Sequence, residues 1–135
     1  MDKNENMPKS VYQETQSMKN LKEAFNDEAG DYTKYTLFAQ RARQEGQPGV
    51  AREFDNIAQN ELAHAQMWLD YMQGIGTTDE NLRQAVQGER NAAELEYPKY
   101  SDMAKKEGFD ELAEKFRLTG ETEGMHKNTY SDILN

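Results

Sequence analysis

An internal repeat constrains this sequence more than any other feature. When the chain is shifted by 62 positions, a 23-residue window aligns without a gap and contains seven identities. The matched residues are Ala42, Glu45, Gly46, Ala51, Phe54, Glu61 and His64 in the first copy and Ala104, Glu107, Gly108, Ala113, Phe116, Glu123 and His126 in the second. Such self-similarity predicts two copies of one supersecondary unit.

Each copy has the periodicity of an amphipathic helix pair. Apolar residues recur at intervals of three and four, and no alternating strand pattern competes with them. Gly46 suits a helix C-terminus, Pro48 a first helical turn, and Thr77 with Glu80 a capping box, whereas Pro98 lies inside a helix. The predicted helices span about 17–44, 48–72, 77–107 and 109–134.

These helices predict an all-α chain with one domain at residues 17–135. Hairpin one covers 17–73 and hairpin two covers 77–134, after a flexible, polar N-terminal tail at 1–16. Upstream of the repeat window, Glu28 matches Glu89 only after a one-residue slip, which a π-bulge or a kink at Pro98 would absorb.

The composition narrows the classes of partner and site. A formal charge of −9 and a pI near 4.7 argue against nucleic acid and anionic membranes and favour cations. The absence of cysteine excludes disulfides, thiolate zinc sites and cysteine-ligated iron. Since no apolar run resembles a signal peptide or membrane span, we expect a soluble, cytoplasmic protein.

Both histidines of the chain follow a glutamate by three positions. Glu61 precedes His64 and Glu123 precedes His126, so each pair lies on one helix face and offers an oxygen and a nitrogen to one point. A surface salt bridge is the simpler explanation for either pair alone. The repetition of the pair within an apolar stripe favours a functional explanation.

A metal centre explains these pairs together with the lone glutamates of the preceding helices. Glu28 and Glu89 lie on the inner stripes, so four carboxylates would be buried together at a large energetic cost. Two divalent ions would balance the four charges, with neutral His64 and His126 as nitrogen ligands. Oxygen and nitrogen donors without sulfur favour two iron ions, although manganese or a mixed pair also fits.

One glutamate from each of two helices, with Glu-x-x-His from each of two others, is the ligand pattern of ferritin-like di-metal carboxylate proteins. The sequence also resembles the rubrerythrin family over residues 20–130. The segments that carry this resemblance are NLKEAFNDEAGDYTKY, EFDNIAQNELAHA, GERNAAELEYPKY and AKKEGFDELAEKF. The resemblance implies a ferritin-like four-helix bundle that contains a di-iron centre.

The resemblance also implies roles for individual residues. Glu28 and Glu89 would be terminal ligands, and His64 and His126 would each supply a nitrogen. Glu61 and Glu123 would be the bridging ligands. Two tyrosines, Tyr35 and Tyr97, would orient a bound oxygen species, although packing as core aromatics explains them equally well.

Two departures from the family pattern bear on mechanism. The cysteine-ligated rubredoxin domain of typical rubrerythrins has no counterpart here, so electrons would come from an external donor such as rubredoxin or a related redox protein. An extra glutamate of the family is replaced by Ala92, which puts the peroxide-linked movement of iron in doubt. Glu94 could substitute for it only if the helix bulges there.

The sequence is compatible with three functions. The leading hypothesis is an oxidoreductase that reduces hydrogen peroxide to water in oxidative-stress defence. The second is a ferroxidase that oxidises ferrous iron with dioxygen or peroxide, which the loss at Ala92 favours. The third, of another class, is a metal-binding module without turnover.

The short connection between the hairpins predicts a dimer. In a ferritin-like bundle, the link from the second helix to the third must cover about 30 Å along the bundle axis. Residues 72–78 span only about 24 Å when fully extended. We therefore expect a homodimer in which each bundle combines hairpins of two chains.

Overall fold

The computed structural model describes residues 10–135, and most of the predicted flexible tail, residues 1–9, lies outside the described residues. The all-α prediction is confirmed. The helices are α1 (Gln16–Gln44), α2 (Pro48–Tyr71), α3 (Thr78–Asn91), a π-helical segment (Ala92–Glu96), α4 (Tyr97–Lys106) and α5 (Asp110–Leu134). None of the helices within residues 10–135 has the length and apolar character needed to cross a membrane.

The first compact unit, Met1–Ile75, contains hairpin one, in which α1 packs against α2. The Thr15 hydroxyl accepts a hydrogen bond from the Met18 N–H and caps α1. At the other end of α1, Gly46 adopts a φ of +72°, and the N–H groups of residues 46 and 47 return to the carbonyls of Arg43 and Ala42 at 3.1 and 2.8 Å. This Schellman closure ends α1 and lets α2 begin directly at Pro48.

The second unit, Gly76–Asn135, contains hairpin two, in which α5 packs against α3, the π-helical segment and α4. The predicted capping box is present, because Thr77 and Glu80 exchange side chain-to-backbone hydrogen bonds. The closure after α4 repeats that of hairpin one: Gly108 has a φ of +86°, and Phe109 donates to the carbonyl of Ala104 at 2.8 Å.

A π-helical segment interrupts the third predicted helix at Ala92–Glu96, directly before Pro98. Its extra residue accounts for the one-residue slip between Glu28 and Glu89 in the repeat alignment, which is the first of the two explanations that the sequence offered. The segment therefore keeps Glu89 and Tyr97, on either side of it, in positions equivalent to their counterparts in hairpin one.

The buried residues of the described chain are all small. They are Ala39, Ala42, Ala51, Ala58, Ala65, Ala104, Ala113 and Gly120. Several large residues that the helical stripes place inward stay substantially exposed, including Ile57 at 44%, Tyr100 at 44% and Leu112 at 47%. Alanine contacts bring the helices of each hairpin close together, but they leave apolar side chains on its surface.

Candidate metal centre

Three ligand-type side chains meet in hairpin one. Glu28 extends from α1, and Glu61 and His64 extend from successive turns of α2. The His64 Nδ1 atom lies 3.5 Å from Glu28 Oε2 and 3.8 Å from Glu61 Oε1. We call these residues triad one; one ligand atom from each lies within 4.8 Å of the others.

Hairpin two contains the same arrangement. Glu89 comes from α3, and Glu123 and His126 come from α5. The His126 Nδ1 atom lies 3.6 Å from Glu89 Oε1 and 3.6 Å from Glu123 Oε2. These residues form triad two, whose geometry matches that of triad one within a few tenths of an ångström.

Helix geometry explains why each hairpin builds a triad. Residues three apart share a helix face, which directs Glu61 and His64 to one point. The antiparallel partner helix then contributes one glutamate at the same level. In hairpin two, the π-helical segment changes the phase of the helix between Glu89 and Tyr97, so both residues stay on the side that faces α5.

The carboxylates of each triad crowd one another. The pKa of Glu61 is raised because its carboxyl group lies within hydrogen-bonding reach of Glu28, with desolvation and charge repulsion adding to the effect. The pKa of Glu89 is raised by the same three causes, with Glu123 as its neighbour. Both triads therefore concentrate more negative charge than their surroundings stabilise.

The lone glutamate of each triad has an oxygen that accepts no hydrogen bond in the described chain. Glu28 Oε2 and Glu89 Oε2 are buried and accept no hydrogen bond within the described residues. A buried, unpaired carboxylate oxygen is energetically unfavourable, and a cation would compensate it. Each triad also offers two oxygens and one nitrogen, a donor set that suits iron or manganese. The residues of both triads thus fit a metal ion.

The structure brings all six predicted metal ligands into these two triads, and each predicted tyrosine belongs to an aromatic cluster of its own hairpin. Tyr35 packs against Phe38 and Phe54, with ring centroids 6.1 Å from each. Tyr97 has the same relation to Tyr100 and Phe116, at 5.7 and 6.1 Å. The rings of Tyr35 and Tyr97 therefore pack in the aromatic clusters of their hairpins, and this packing is independent of any role of their hydroxyl groups in the chemistry.

Glu94 does not join triad two, although the helix bulges where this residue lies. Its side chain is 57% exposed, and its Oε1 atom lies 3.8 Å from Lys127 Nζ. The Glu-x-x-His motifs do not include Lys127, so the sequence analysis did not single it out. Its position directly after His126 on α5 is the sequence feature that could have identified it. The position of the family's extra glutamate is thus left without a carboxylate at Ala92.

Comparison with known proteins identifies relatives along nearly the whole chain. A sequence profile described as rubrerythrin matches residues 19–134. A rubrerythrin from Porphyromonas gingivalis is 33% identical over 129 residues, which cover 86% of this chain and 64% of that protein. A putative rubrerythrin from Methanocaldococcus jannaschii is 32% identical and covers 88% of this chain and 69% of its own length. A rubrerythrin from Clostridium perfringens is also 32% identical, with 88% and 70% covered. The chain thus spans about two thirds of the length of these relatives.

Proposed function

Because this chain belongs to the rubrerythrin family, we propose that it is a non-haem di-iron oxidoreductase in which triads one and two form the halves of one dinuclear centre. The presence of a Glu-Glu-His triad in each hairpin, with one orphaned carboxylate oxygen in each, supports this proposal more than any other observation. A single triad provides three donor atoms, whereas iron in carboxylate sites binds more than three ligands. Carboxylates shared between the two triads would supply the additional ligands.

We propose the following division of labour among the ligands. Glu28 and His64 would hold one ion, Glu89 and His126 would hold the other, and Glu61 and Glu123 would be ligands shared by the pair. When bound, the metal pair supplies Lewis acidity and two electrons. The protein supplies the fixed oxygen and nitrogen donors.

Hydrogen peroxide is the oxidant that we propose. Its reduction to two molecules of water consumes two electrons and two protons, which matches a centre with two one-electron metals. Electrons must come from outside these residues, because the sequence contains no cysteine that could hold a second iron centre. We propose a separate donor protein such as rubredoxin, and we place the reaction in cytoplasmic defence against oxidative stress.

A ferroxidase is the second candidate. Ala92 leaves triad two without a third carboxylate, and Glu94 faces Lys127 instead. The two triads are then nearly equivalent, which suits a centre that binds, oxidises and releases iron ions. The two activities differ in the oxidant that reacts faster with the reduced protein.

Rapid mixing distinguishes these functions. The anaerobic protein is loaded with two ferrous ions per chain and mixed with peroxide or with dioxygen, while absorbance follows the oxidation. Faster oxidation by peroxide supports the peroxidase, and faster oxidation by dioxygen supports the ferroxidase. The double variant His64→Ala/His126→Ala controls for iron adsorbed elsewhere on this acidic chain. Zinc in place of iron, with no spectral change on adding peroxide, would indicate a metal-binding module.

Hairpin exchange between two chains is the assembly that we propose for the centre. Helix α2 ends at Tyr71, ten residues after Glu61, and α3 begins at Thr78, eleven residues before Glu89. At 1.5 Å per residue, both helices extend about 15 Å beyond their triads, which adds up to about 30 Å. The seven chain steps from 71 to 78 cover at most about 24 Å. A second chain removes this conflict and also offers cover for the exposed apolar residues of each hairpin.

A further inference from the structure

Hairpin one contains an aromatic cluster that begins one helical turn from its triad. Trp68 follows His64 by four residues on α2 and so lies on the same helix face. The rings of Trp68 and Tyr71 lie 6.4 Å apart between centroids, and the edge of Tyr12 contacts Tyr71 at 6.2 Å. A continuous line of aromatic rings therefore leads from the neighbourhood of His64 to the surface.

This cluster is not part of the internal repeat. The positions equivalent to Trp68 and Tyr71 in hairpin two are Tyr130 and Ile133, so no second aromatic step exists there. By contrast, the aromatic clusters around Tyr35 and Tyr97 occur in both hairpins. Hairpin packing therefore does not require the line from Trp68 to Tyr71.

The environments of the two rings suit successive one-electron oxidations. Trp68 Nε1 is buried and has no hydrogen-bond partner among residues 10–135. An indole that loses an electron there has no hydrogen-bonded acceptor for its proton, so it stays a radical cation that can oxidise a phenol. Tyr71 is 51% exposed, so its phenolic proton can leave to water when it is oxidised.

We propose that Trp68 and Tyr71 form a relay that carries oxidising equivalents from the metal centre to the protein surface. When the donor protein is absent, the two electrons that reduce one hydrogen peroxide to water at the centre come from the Trp68 indole one at a time, and one electron from Tyr71 restores the indole after each transfer. The Tyr71 phenol releases its proton to water and becomes a neutral radical. A small one-electron reductant in solution, of the ascorbate class, then returns one electron and one proton to that radical.

The relay rests on the proposed function, since it needs an oxidising centre beside His64. Its effect is protective. When the donor protein is absent and oxidant is in excess, each surplus oxidising equivalent leaves through residues that can be reduced again, and the ligands His64 and Glu61 are spared.

The relay can be tested in the metal-free protein. Azide radicals generated by pulse radiolysis oxidise tryptophan selectively, and this chain has a single tryptophan. We expect the Trp68 radical to decay while a tyrosyl radical forms at the same rate, independently of protein concentration. In Tyr71→Phe, this transfer should be lost. In the matched control Tyr100→Phe, which removes a tyrosine that is 44% exposed but has no tryptophan neighbour among its ring contacts, it should persist.

Transfer that persists unchanged in Tyr71→Phe, or that depends on protein concentration, would overturn the relay. Circular dichroism confirms that both variants fold. Because this experiment contains no metal, its result does not depend on the proposed function.

A second experiment links the relay to the centre. The iron-loaded protein receives excess peroxide without a donor, and electron paramagnetic resonance of the frozen solution detects radicals. We expect a tyrosyl radical in the wild type, its loss in Trp68→Phe, and its removal by ascorbate. Peroxide consumption with no such radical, or with an equal radical in Trp68→Phe, would overturn the relay while the oxidoreductase proposal stands. Absence of peroxide consumption would count against the proposed function, and the metal-free experiment would still decide whether transfer occurs.

Discussion

The six ligand-type residues of the two triads support the proposed function because the triads are chemically and geometrically equivalent. Each joins one carboxylate from one helix to a Glu-x-x-His pair from the next, and each leaves one buried oxygen without a partner. The sequence was sufficient to predict which six residues meet, because i,i+3 spacing pairs each histidine with a glutamate and the apolar stripes place Glu28 and Glu89 inward. It could not show the direction of Glu94, because that depends on the contact with Lys127 across hairpin two.

Loss of either histidine should weaken metal binding equally. His64→Ala and His126→Ala each remove the nitrogen donor from one of two matched triads, so each should lower the affinity for one of two manganese ions by at least about tenfold. Titration calorimetry under anaerobic conditions measures both sites. Glu94→Gln serves as the control and should retain wild-type affinity, since its carboxylate faces Lys127. A drop in the control as large as that in the histidine variants would show that Glu94 is a ligand.

The crowded carboxylates predict how the stability of the metal-free protein depends on pH. The folded-state pKa values of Glu61 and Glu89 are raised above the usual value of about 4.5, so these groups bind protons more tightly in the folded than in the unfolded chain. Their contribution to stability is therefore present below about pH 4.5 and is lost as the pH rises through the raised values. Thermal melts in chelator should show that Glu61→Gln/Glu89→Gln gains stability over the wild type as the pH increases.

Glu114 provides a control, because its pKa is shifted in the opposite direction to those of Glu61 and Glu89. The pKa of Glu114 is lowered by its hydrogen bond with Arg117, so its small, exposed contribution is present at high pH and lost as the pH falls through the lowered value. Glu114→Gln should therefore lose a little stability at neutral pH. If the double variant and the wild type melted in parallel across the whole pH range, the triads would not be crowded in solution.

At the scale of elements, local sequence signals determine where the helices begin and end. Thr15, the Thr77 capping box and the two glycine closures are all short-range features, which is why the helix boundaries were predicted to within one or two residues. The π-helical segment was anticipated only as one of two explanations for the repeat slip. The two explanations were a π-bulge and a kink at Pro98. Which one occurs depends on how α3, the π-helical segment and α4 pack against α5, and no local sequence pattern predicts that packing.

The glycine closures predict a measurable loss of stability. Gly46→Ala and Gly108→Ala should each cost about 1 kcal/mol, since both positions have positive φ, and nothing lies within 4 Å of an added Cβ. Gly30→Ala is the matched control: this exposed glycine lies inside α1 with equally open space, so the change should stabilise the protein by up to about 1 kcal/mol. Urea denaturation measures all three. If all three substitutions changed the free energy of unfolding equally, the positive φ of the two closing glycines would not be the cause of the loss in stability.

At the scale of the whole molecule, the described chain buries only small residues, and large apolar side chains remain on the surfaces of both hairpins. The family match confirms the all-α, ferritin-like fold class that the helical periodicity, the ligand pattern and the resemblance predicted. Hairpin exchange remains a prediction, because it depends on a second chain and follows here only from helix lengths and the short connection.

The exchanged assembly predicts a dimer in solution. Light scattering at micromolar concentration should give about twice the chain mass of 15.6 kDa. An inserted flexible linker of about 15 residues after Gly74 would let one chain close on itself, so that variant should shift toward the monomer while keeping its metal. A monomeric wild type would contradict hairpin exchange.

Magnetic coupling between the two metal ions decides whether the triads share one centre. Mössbauer spectra of the oxidised, iron-loaded protein should show two irons per chain in a diamagnetic, antiferromagnetically coupled ground state, because Glu61 and Glu123, as the proposed shared ligands, would bring the ions together. Two uncoupled, high-spin ferric ions would contradict this, since they would show that each hairpin binds its metal alone.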